Sequence, residues 1–125
     1  MNKLVAITIG DINGIGIDIL IKTWKDKKIK NFVLVTNINI LEKILKKRKI
    51  KIILNLVNYE KNKFIFLKNK FNIFSYDAIS LEDNTYKSLN YGYNLCAAKK
   101  CIGVITLPLR KDLIKNKINK NFIGH

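Results

Sequence analysis

Apolar runs and amphipathic segments alternate along the first 57 residues, and this alternation limits the possible folds more than any other feature of the sequence. The apolar runs are Leu4–Ile9, Phe32–Thr36 and Ile50–Val57. The second run is almost wholly apolar, which is typical of a parallel strand covered on both faces. The order strand, helix, strand, helix, strand predicts an α/β fold with a doubly wound sheet, and it argues against all-helical and all-strand folds.

The two amphipathic segments have the spacing of helices that bury one side. In the first, apolar residues recur at i, i+3, i+4 and i+7, which predicts a helix over residues 14–27. Asn13 or Asp11 is expected to cap this helix, and Asp18 suits its first turn. The second segment predicts a short basic helix over residues 40–47. The apolar positions of the first helix are Ile17, Leu20, Ile21 and Trp24.

The pattern changes after residue 63, where two short aromatic-rich stretches follow one another. They cover residues 64–67 and 71–75, and Lys68-Asn69-Lys70 separates them. Short aromatic and β-branched runs around a polar turn are typical of paired strands. We therefore expect a small β-hairpin inserted into the larger fold.

A longer helix is predicted between residues 80 and 100, because Ser80 to Asp83 has the form of a capping box. Gly92 inside it costs about 1 kcal/mol relative to Ala, which indicates a close contact with a neighbouring element. Residues 104–106 are then expected to form a short buried strand, followed by a helix around residues 112–117. The inward face of the longer helix is expected to carry Leu89, Tyr93, Cys96, Ala97 and Lys100.

Length and composition fit one soluble domain, since the chain has 125 residues of which 48% are hydrophobic. No uncharged apolar run approaches the roughly 18 residues of a membrane span, so a cytoplasmic protein with no membrane partner is expected. Cys96 and Cys101 lack the spacing of a zinc site, and we expect both to be buried free thiols.

The formal net charge of +15 suggests an anionic partner such as nucleic acid. A basic nucleic-acid-binding module is therefore one alternative, with Lys63 to Phe66 and Lys70-Phe71 setting aromatic rings among cations. Only Arg48 and Arg110 are arginines among the 24 basic residues, however, and nucleic-acid recognition favours the arginine fork. Nucleic acid is thus the less favoured partner.

A glycine-rich segment follows the first predicted strand and precedes the first predicted helix. Its three glycines allow a tight turn and a close backbone approach to a ligand, and the start of the helix adds partial positive charge. The spacing G-x-x-x-G-x-G matches neither the dinucleotide fingerprint nor the phosphate-binding loop of nucleotide hydrolases, so a purely structural turn stays open. The residues expected to line a site are Gly10, Asp11, Asn13, Gly14 and Gly16.

The segment from Thr106 to Lys111 also follows a predicted strand, and ligands of open α/β sheets collect beyond the carboxyl ends of strands. We therefore expect this segment and the glycine-rich segment to face one crevice. Thr106 offers a hydroxyl and Lys111 an ammonium group, while Pro108 restricts the loop. The alternative is that Pro108 only starts the next helix and Lys111 is solvated.

Three stretches together resemble the 4-hydroxythreonine-4-phosphate dehydrogenase family of vitamin B6 biosynthesis. That family has I-T-x-G-D-P-x-G-I-G-P-E near its start, later T-[AG]-P-[IV]-x-K, and then G-H-T-E. The order and spacing match over essentially the whole chain, although two prolines of the first motif are Ile12 and Ile17 here. Leu107 and Arg110 also depart from the second motif, and Asp18 replaces a glutamate. The matching stretches are residues 6–18, 104–111 and 122–125.

The resemblance implies the fold of the isocitrate and isopropylmalate dehydrogenases and an NAD-dependent oxidation and decarboxylation of 4-phosphohydroxythreonine. It also implies a divalent metal held by three histidines downstream of this sequence, and a homodimer. Carried over to this chain, His125 matches a substrate-binding histidine, whereas no catalytic residue and no metal ligand is assigned. A dehydrogenase for another four-carbon sugar-acid phosphate is equally compatible with these motifs.

Family members are more than twice as long as this sequence, which stops inside the G-H-T-E motif. The resemblance therefore implies that residues 1–125 are the N-terminal part of one catalytic subunit, without a complete second domain. Taken alone, His125 would be an ordinary terminal residue. A piece of this size is expected to be inactive, because the family's site lies between two domains and is completed across the dimer.

Overall fold

The computed structural model of the chain describes residues 3–108, which form five strands and three helices that alternate except where β4 follows β3 directly. The α/β class predicted from the sequence is confirmed. Predicted boundaries are met to within about two residues, except that the third strand is shorter than residues 50–57. The elements are β1 (Val5–Thr8), α1 (Gly16–Lys25), β2 (Phe32–Val35), α2 (Ile38–Lys47), β3 (Leu54–Leu56), β4 (Phe71–Phe74), α3 (Leu81–Ala97) and β5 (Gly103–Thr106).

All strand pairs of the sheet are parallel, and the strand order is β3-β4-β2-β1-β5. The first strand therefore lies between β2 and β5, with Ile7 beside Leu34 on one side and Ile105 on the other. Every residue of β2 is buried, as expected for a parallel strand covered on both faces. This arrangement places the ends of β1 and β5 next to each other.

The two faces of the sheet are covered by different elements. On one face, α1 and α2 contribute Ile17 and Leu41 to a cluster with Ile7, Leu34 and Phe71. On the other face, Leu95 of α3 packs with the side chains of β1 and β2 that point the opposite way. Burial of both sheet faces is what makes these short strands stable.

One of the two predicted helix caps is confirmed and the other is wrong, while α2 has a cap that was not predicted. The Asn37 side chain caps α2 by accepting from the Ile40 amide at 2.9 Å. Ser80 caps α3, and it accepts from the Asp83 amide at 3.0 Å as the capping box predicts. By contrast, α1 has no side-chain cap. The prediction that Asp11 or Asn13 caps α1 is wrong, because the helix begins later, at Gly16.

The predicted β-hairpin is not formed. Residues 64–67 are not a strand, and β4 pairs in parallel with β2 and β3 instead of turning back on its predecessor. Phe64 and Phe66 cover the sheet face on which α3 lies. Asn72 fixes this segment, because its side chain accepts from the Leu67 amide and donates to the Leu67 carbonyl at 3.0 and 2.9 Å. Phe64 and Phe66 thus cover the sheet rather than extend it.

The inward face of α3 also differs from the prediction. Tyr93 is 63% exposed, and Ala97 and Lys100 are exposed as well. The helix is rotated so that a polar set faces the sheet at its N-terminal end and Leu95 does so near its C-terminal end. Polar residues can be buried there because each has a hydrogen-bond partner, as described below. The buried set is Asp83, Asn84, Thr85, Ser88, Leu89, Gly92 and Leu95.

Both cysteines are free thiols as predicted, with Cys101 buried and Cys96 only partly so. Burial raises the pKa of the Cys101 thiol to about 11, with a smaller contribution from neighbouring Cys96. None of the helices within residues 3–108 is long and apolar enough to cross a membrane.

Candidate functional site

The candidate site lies where β1 and β5 end side by side. From β1 the chain continues into α1 on one face of the sheet, whereas α3 reaches β5 from the other face. A pair of neighbouring strands whose helices lie on opposite faces forms a crevice at their carboxyl ends, which is where open α/β sheets bind ligands. The glycine-rich segment follows β1 there, and Leu107-Pro108 follows β5.

The two loops contact each other directly at Gly10, whereas the sequence predicted only that they face one crevice. The amide of Asp11 donates to the Pro108 carbonyl at 2.7 Å, and the amide of Leu107 donates to the Thr8 carbonyl at 3.0 Å. Gly10 has φ of 58°, and a Cβ at this position would lie 2.3 Å from the Pro108 oxygen. Only glycine fits this conformation and this space.

The turn between Gly10 and α1 is held by short-range hydrogen bonds. The Asp11 side chain accepts from the Asn13 amide at 3.1 Å, and the backbone carbonyl of Asp11 accepts from the Gly14 amide at 3.0 Å. Gly16 is buried, and a Cβ there would lie 3.1 Å from the Pro108 ring. Asn13 is exposed, and its backbone carbonyl accepts a hydrogen bond from Arg48. The glycines therefore let the two loops pack without intervening side chains.

Backbone amides at the start of α1 have no side-chain cap. The first-turn amides of a helix carry partial positive charge and can donate to an anion. Asp18 lies in this first turn, as predicted. The arrangement can therefore contribute one wall of a site for a phosphate or carboxylate, on the side of the crevice formed by α1.

Thr106 is exposed at the rim of the crevice. Its hydroxyl accepts a hydrogen bond from the Thr8 hydroxyl at 3.0 Å, and Thr8 itself is completely buried. Since the Thr106 hydroxyl keeps its own proton, it can still donate to a ligand. Thr106 therefore lies where the sequence predicted a site-lining group.

Two buried hydroxyls of α3 hold the end of β1, and sequence reasoning missed both. Thr85 donates to the Gly10 carbonyl at 2.9 Å. Ser88 accepts from the Ile9 amide at 2.8 Å and donates to the Val35 carbonyl. Because backbone groups at the end of a strand have no further ladder partner, these side chains satisfy them and fix where the glycine-rich segment begins.

Asn84 organises the neighbouring end of β2 in the same way. Its side chain accepts from the Asn37 amide at 2.9 Å and from the Tyr76 hydroxyl at 2.7 Å, and it donates to the Thr36 hydroxyl at 3.0 Å. Burial raises the pKa of the Tyr76 hydroxyl far above its ordinary value, so this group stays a proton donor. The polar spacing of residues 84, 85 and 88 along one helix side was the available sequence signal.

Close packing of α3 on β1 accounts for Gly92, as its position in the helix predicts. A Cβ at Gly92 would lie 2.5 Å from the Cγ2 atom of buried Thr8. The glycine thus lets α3 approach the strand that leads into the site.

Two predicted site residues, Lys111 and His125, lie outside the described residues, as does the helix expected around residues 112–117. Within residues 3–108, no group of three His, Cys, Asp or Glu side chains could hold a metal ion. The described part of the chain therefore supplies no metal ligand set, and no reaction step through a metal is assigned to it.

These features define an α/β protein with a ligand crevice at the switch point of a parallel sheet. Three solved structures share this fold. They are a protein from Salmonella typhimurium described as a 4-hydroxythreonine-4-phosphate dehydrogenase (TM-score 0.78, 19% identity), and the 4-hydroxythreonine-4-phosphate dehydrogenases from Klebsiella pneumoniae (0.75, 19%) and Burkholderia phymatum (0.75, 15%).

The likeness extends over 98% of this chain for the first two structures and 100% for the third. This chain spans 42% of the length of each of those chains. No protein-family model and no curated protein sequence matches the chain. At these identities the comparisons establish the fold alone.

Proposed function

We propose that this chain is the N-terminal part of an NAD-dependent 4-hydroxythreonine-4-phosphate dehydrogenase. The single observation that carries the proposal is the contact between the glycine-rich loop and the Thr106–Pro108 segment through Gly10. Two sequence motifs of this enzyme family, almost 100 residues apart, thereby meet at the ligand end of the fold that the family's solved members have.

In the proposed enzyme this chain supplies one wall of the substrate site. The first-turn amides of α1 and the Thr106 hydroxyl donate to anionic and hydroxyl oxygens of the substrate. Lys111 and His125 are proposed to join this wall, with His125 contacting the substrate. Thr85 and Ser88 hold the end of β1 so that the wall is rigid before substrate arrives.

The remaining walls belong to a longer cytoplasmic subunit that acts as a homodimer. NAD, when bound, would supply the hydride acceptor for oxidation of the secondary alcohol, and a divalent metal would supply the Lewis acid for that oxidation and for the loss of carbon dioxide. The ligands of that metal are proposed to lie in the C-terminal part of the enzyme. It follows that the 125-residue chain alone is inactive.

The reading frame beyond codon 125 provides a first test. We expect it to continue with Thr-Glu and to encode further histidines downstream. A stop codon directly after His125 in the gene, verified on genomic DNA, would contradict the proposal that this chain is part of a longer enzyme.

Substrate choice within the class is a separate question, because relatives acting on other four-carbon sugar-acid phosphates share the same motifs. We expect kcat/KM of the longer protein to be highest for 4-phosphohydroxythreonine when the two kinds of substrate are compared with NAD. A clear preference for a phosphorylated sugar acid without an amino group would indicate that the protein has that related activity instead.

The described structure disfavours the alternative of a nucleic-acid-binding module. Phe71, one of the rings invoked for base stacking, is completely buried and packs edge-on against Trp24 and Phe32. Phe64 and Phe66 are partly buried against the sheet. Stacking with bases needs exposed rings, so these aromatics are better explained as core.

A further inference from the structure

Arg48 connects the end of α2 to the glycine-rich loop. Its Nη2 atom donates to the Asn13 carbonyl at 3.0 Å, and its Nη1 atom lies 3.1 Å from a carboxylate oxygen of Asp18. The Arg48 side chain is 23% exposed, whereas Lys22 in its ion pair with Asp26 is 79% exposed. Asp18 is 45% exposed, close to the 43% of Asp26, so the Arg48 pair is better shielded from water on the side of the cation but not on the side of the carboxylate.

The loop needs such a contact because its two ends are held unequally. At Gly10 and Asp11 the loop is fixed by Pro108 and Thr85 through three backbone groups. At the α1 end no side chain caps the helix. Arg48 donates a hydrogen bond to this end from the end of α2, whereas Pro108 contacts it by packing at Gly16.

The chemistry of the guanidinium group suits this role. Its planar fork contacts a neutral carbonyl and a carboxylate at once, which the single ammonium of a lysine cannot do with the same geometry. Arg48 also directly follows α2, where a cation is favoured by the partial negative charge of the helix end. The charge of the helix end thus favours a cation at this position.

We propose that Arg48 is a positioning residue that fixes the Asn13–Gly16 backbone, and with it the first-turn amides of α1, in the orientation used to bind substrate. This role in binding rests on the proposed function, whereas the control of loop conformation does not. Arg48 does not itself contact the reacting atoms.

The structural half of the proposal is tested by amide hydrogen exchange on the 125-residue chain. In Arg48→Ala we expect exchange at Gly14 and Ile19, whose amides donate to the Asp11 and Ile15 carbonyls, to rise by about tenfold relative to the amides of β1 and β2 in the same sample. Exchange in Arg48→Lys should lie between that of the wild type and that of Arg48→Ala. Lys22→Ala, which removes an exposed ion pair within α1, should leave exchange at these amides unchanged. A uniform rise over loop and strands, or none at the loop, would overturn the proposal.

The binding half is tested in the longer protein that carries this chain. Arg48→Ala is expected to raise KM for the phosphorylated substrate by about tenfold with kcat within about twofold, and Arg48→Lys should recover part of the loss. A loss of kcat at unchanged KM would contradict a positioning role in binding. If the longer protein has no dehydrogenase activity, the proposed function fails while the exchange result still decides the structural half.

Discussion

Gly10 belongs to the glycine-rich motif and lies at the contact between the two loops of the candidate site. It has φ of 58°, and its missing Cβ leaves the space taken by the carbonyl oxygens of Leu107 and Pro108. The sequence already indicates a tight turn here, because Gly10, Gly14 and Gly16 follow a predicted strand at short spacing. Which segment packs against it is not visible, since that contact spans almost 100 residues.

Gly10→Ala is therefore expected to lower the free energy of unfolding by about 3 kcal/mol, from the positive φ and from the overlap with two carbonyl groups. Urea unfolding followed by circular dichroism measures the change. Gly103→Ala is the matched control, because a Cβ there meets nothing within 4 Å, and its effect should stay below about 0.5 kcal/mol. Equal effects of the two substitutions would contradict the packing described for Gly10.

The thiol of Cys101 gives a second prediction at this scale. Burial raises its pKa to about 11, so at pH 8 it is almost entirely protonated in the folded chain and its thiolate is scarce. Alkylation at pH 8 followed by mass spectrometry should modify Cys96 well before Cys101, and unfolding in urea should remove the difference. Faster modification of Cys101 in the folded chain would show that this end of α3 is more open than described.

The protonated thiol also stabilises the folded state in a definite pH range. Because the folded pKa is raised, this contribution is complete below the ordinary value of 9.0 and is lost as pH rises toward about 11.

At the scale of elements, α3 is the part that local sequence patterns describe least well. Its capping box at Ser80 and its close contact at Gly92 are predictable, because both depend on residue types that few other positions tolerate. Its rotation is not predictable, since the helix buries Asn84 and Thr85 while Tyr93 stays exposed. Hydrophobic periodicity fails wherever polar groups are buried to satisfy strand ends.

Asn84→Ala tests this interpretation of α3. The substitution leaves the Asn37 amide, the Thr36 hydroxyl and the Tyr76 hydroxyl without their shared partner in a buried place. We expect the free energy of unfolding to fall by about 3 kcal/mol. Asn90→Ala, on the exposed side of the same helix, is the control and should change it by less than about 0.5 kcal/mol. A small effect of Asn84→Ala would mean that water or other groups replace the network.

The segment between β3 and β4 shows a different limit of sequence reasoning. Aromatic residues on either side of a polar turn are compatible with a hairpin and with a covered parallel strand, because both bury alternate side chains. Which of the two structures forms depends on the partner strands available, and β4 pairs with β2 on one side and β3 on the other. The local sequence pattern does not reveal such long-range pairing.

At the scale of the whole molecule, the order of strands and helices was enough to predict the α/β class, and the motifs agree with the fold of the solved dehydrogenases. The candidate site was predictable only in part. Its glycines and Thr106 were visible in the sequence, whereas Thr85, Ser88 and Arg48 act through contacts between distant elements. This chain spans 42% of the length of those solved chains, and the proposed function assigns the other walls of the site to the remainder.

The most direct test of the central claim is NADH formation by the longer protein that begins with these 125 residues. Purified protein is mixed with NAD, a divalent metal and 4-phosphohydroxythreonine, and the absorbance of NADH is followed over time. We predict NADH formation that requires the substrate and the metal and that is absent with the 125-residue chain alone. No NADH from a folded longer protein with metal supplied, on this substrate or on related four-carbon sugar-acid phosphates, would contradict the account.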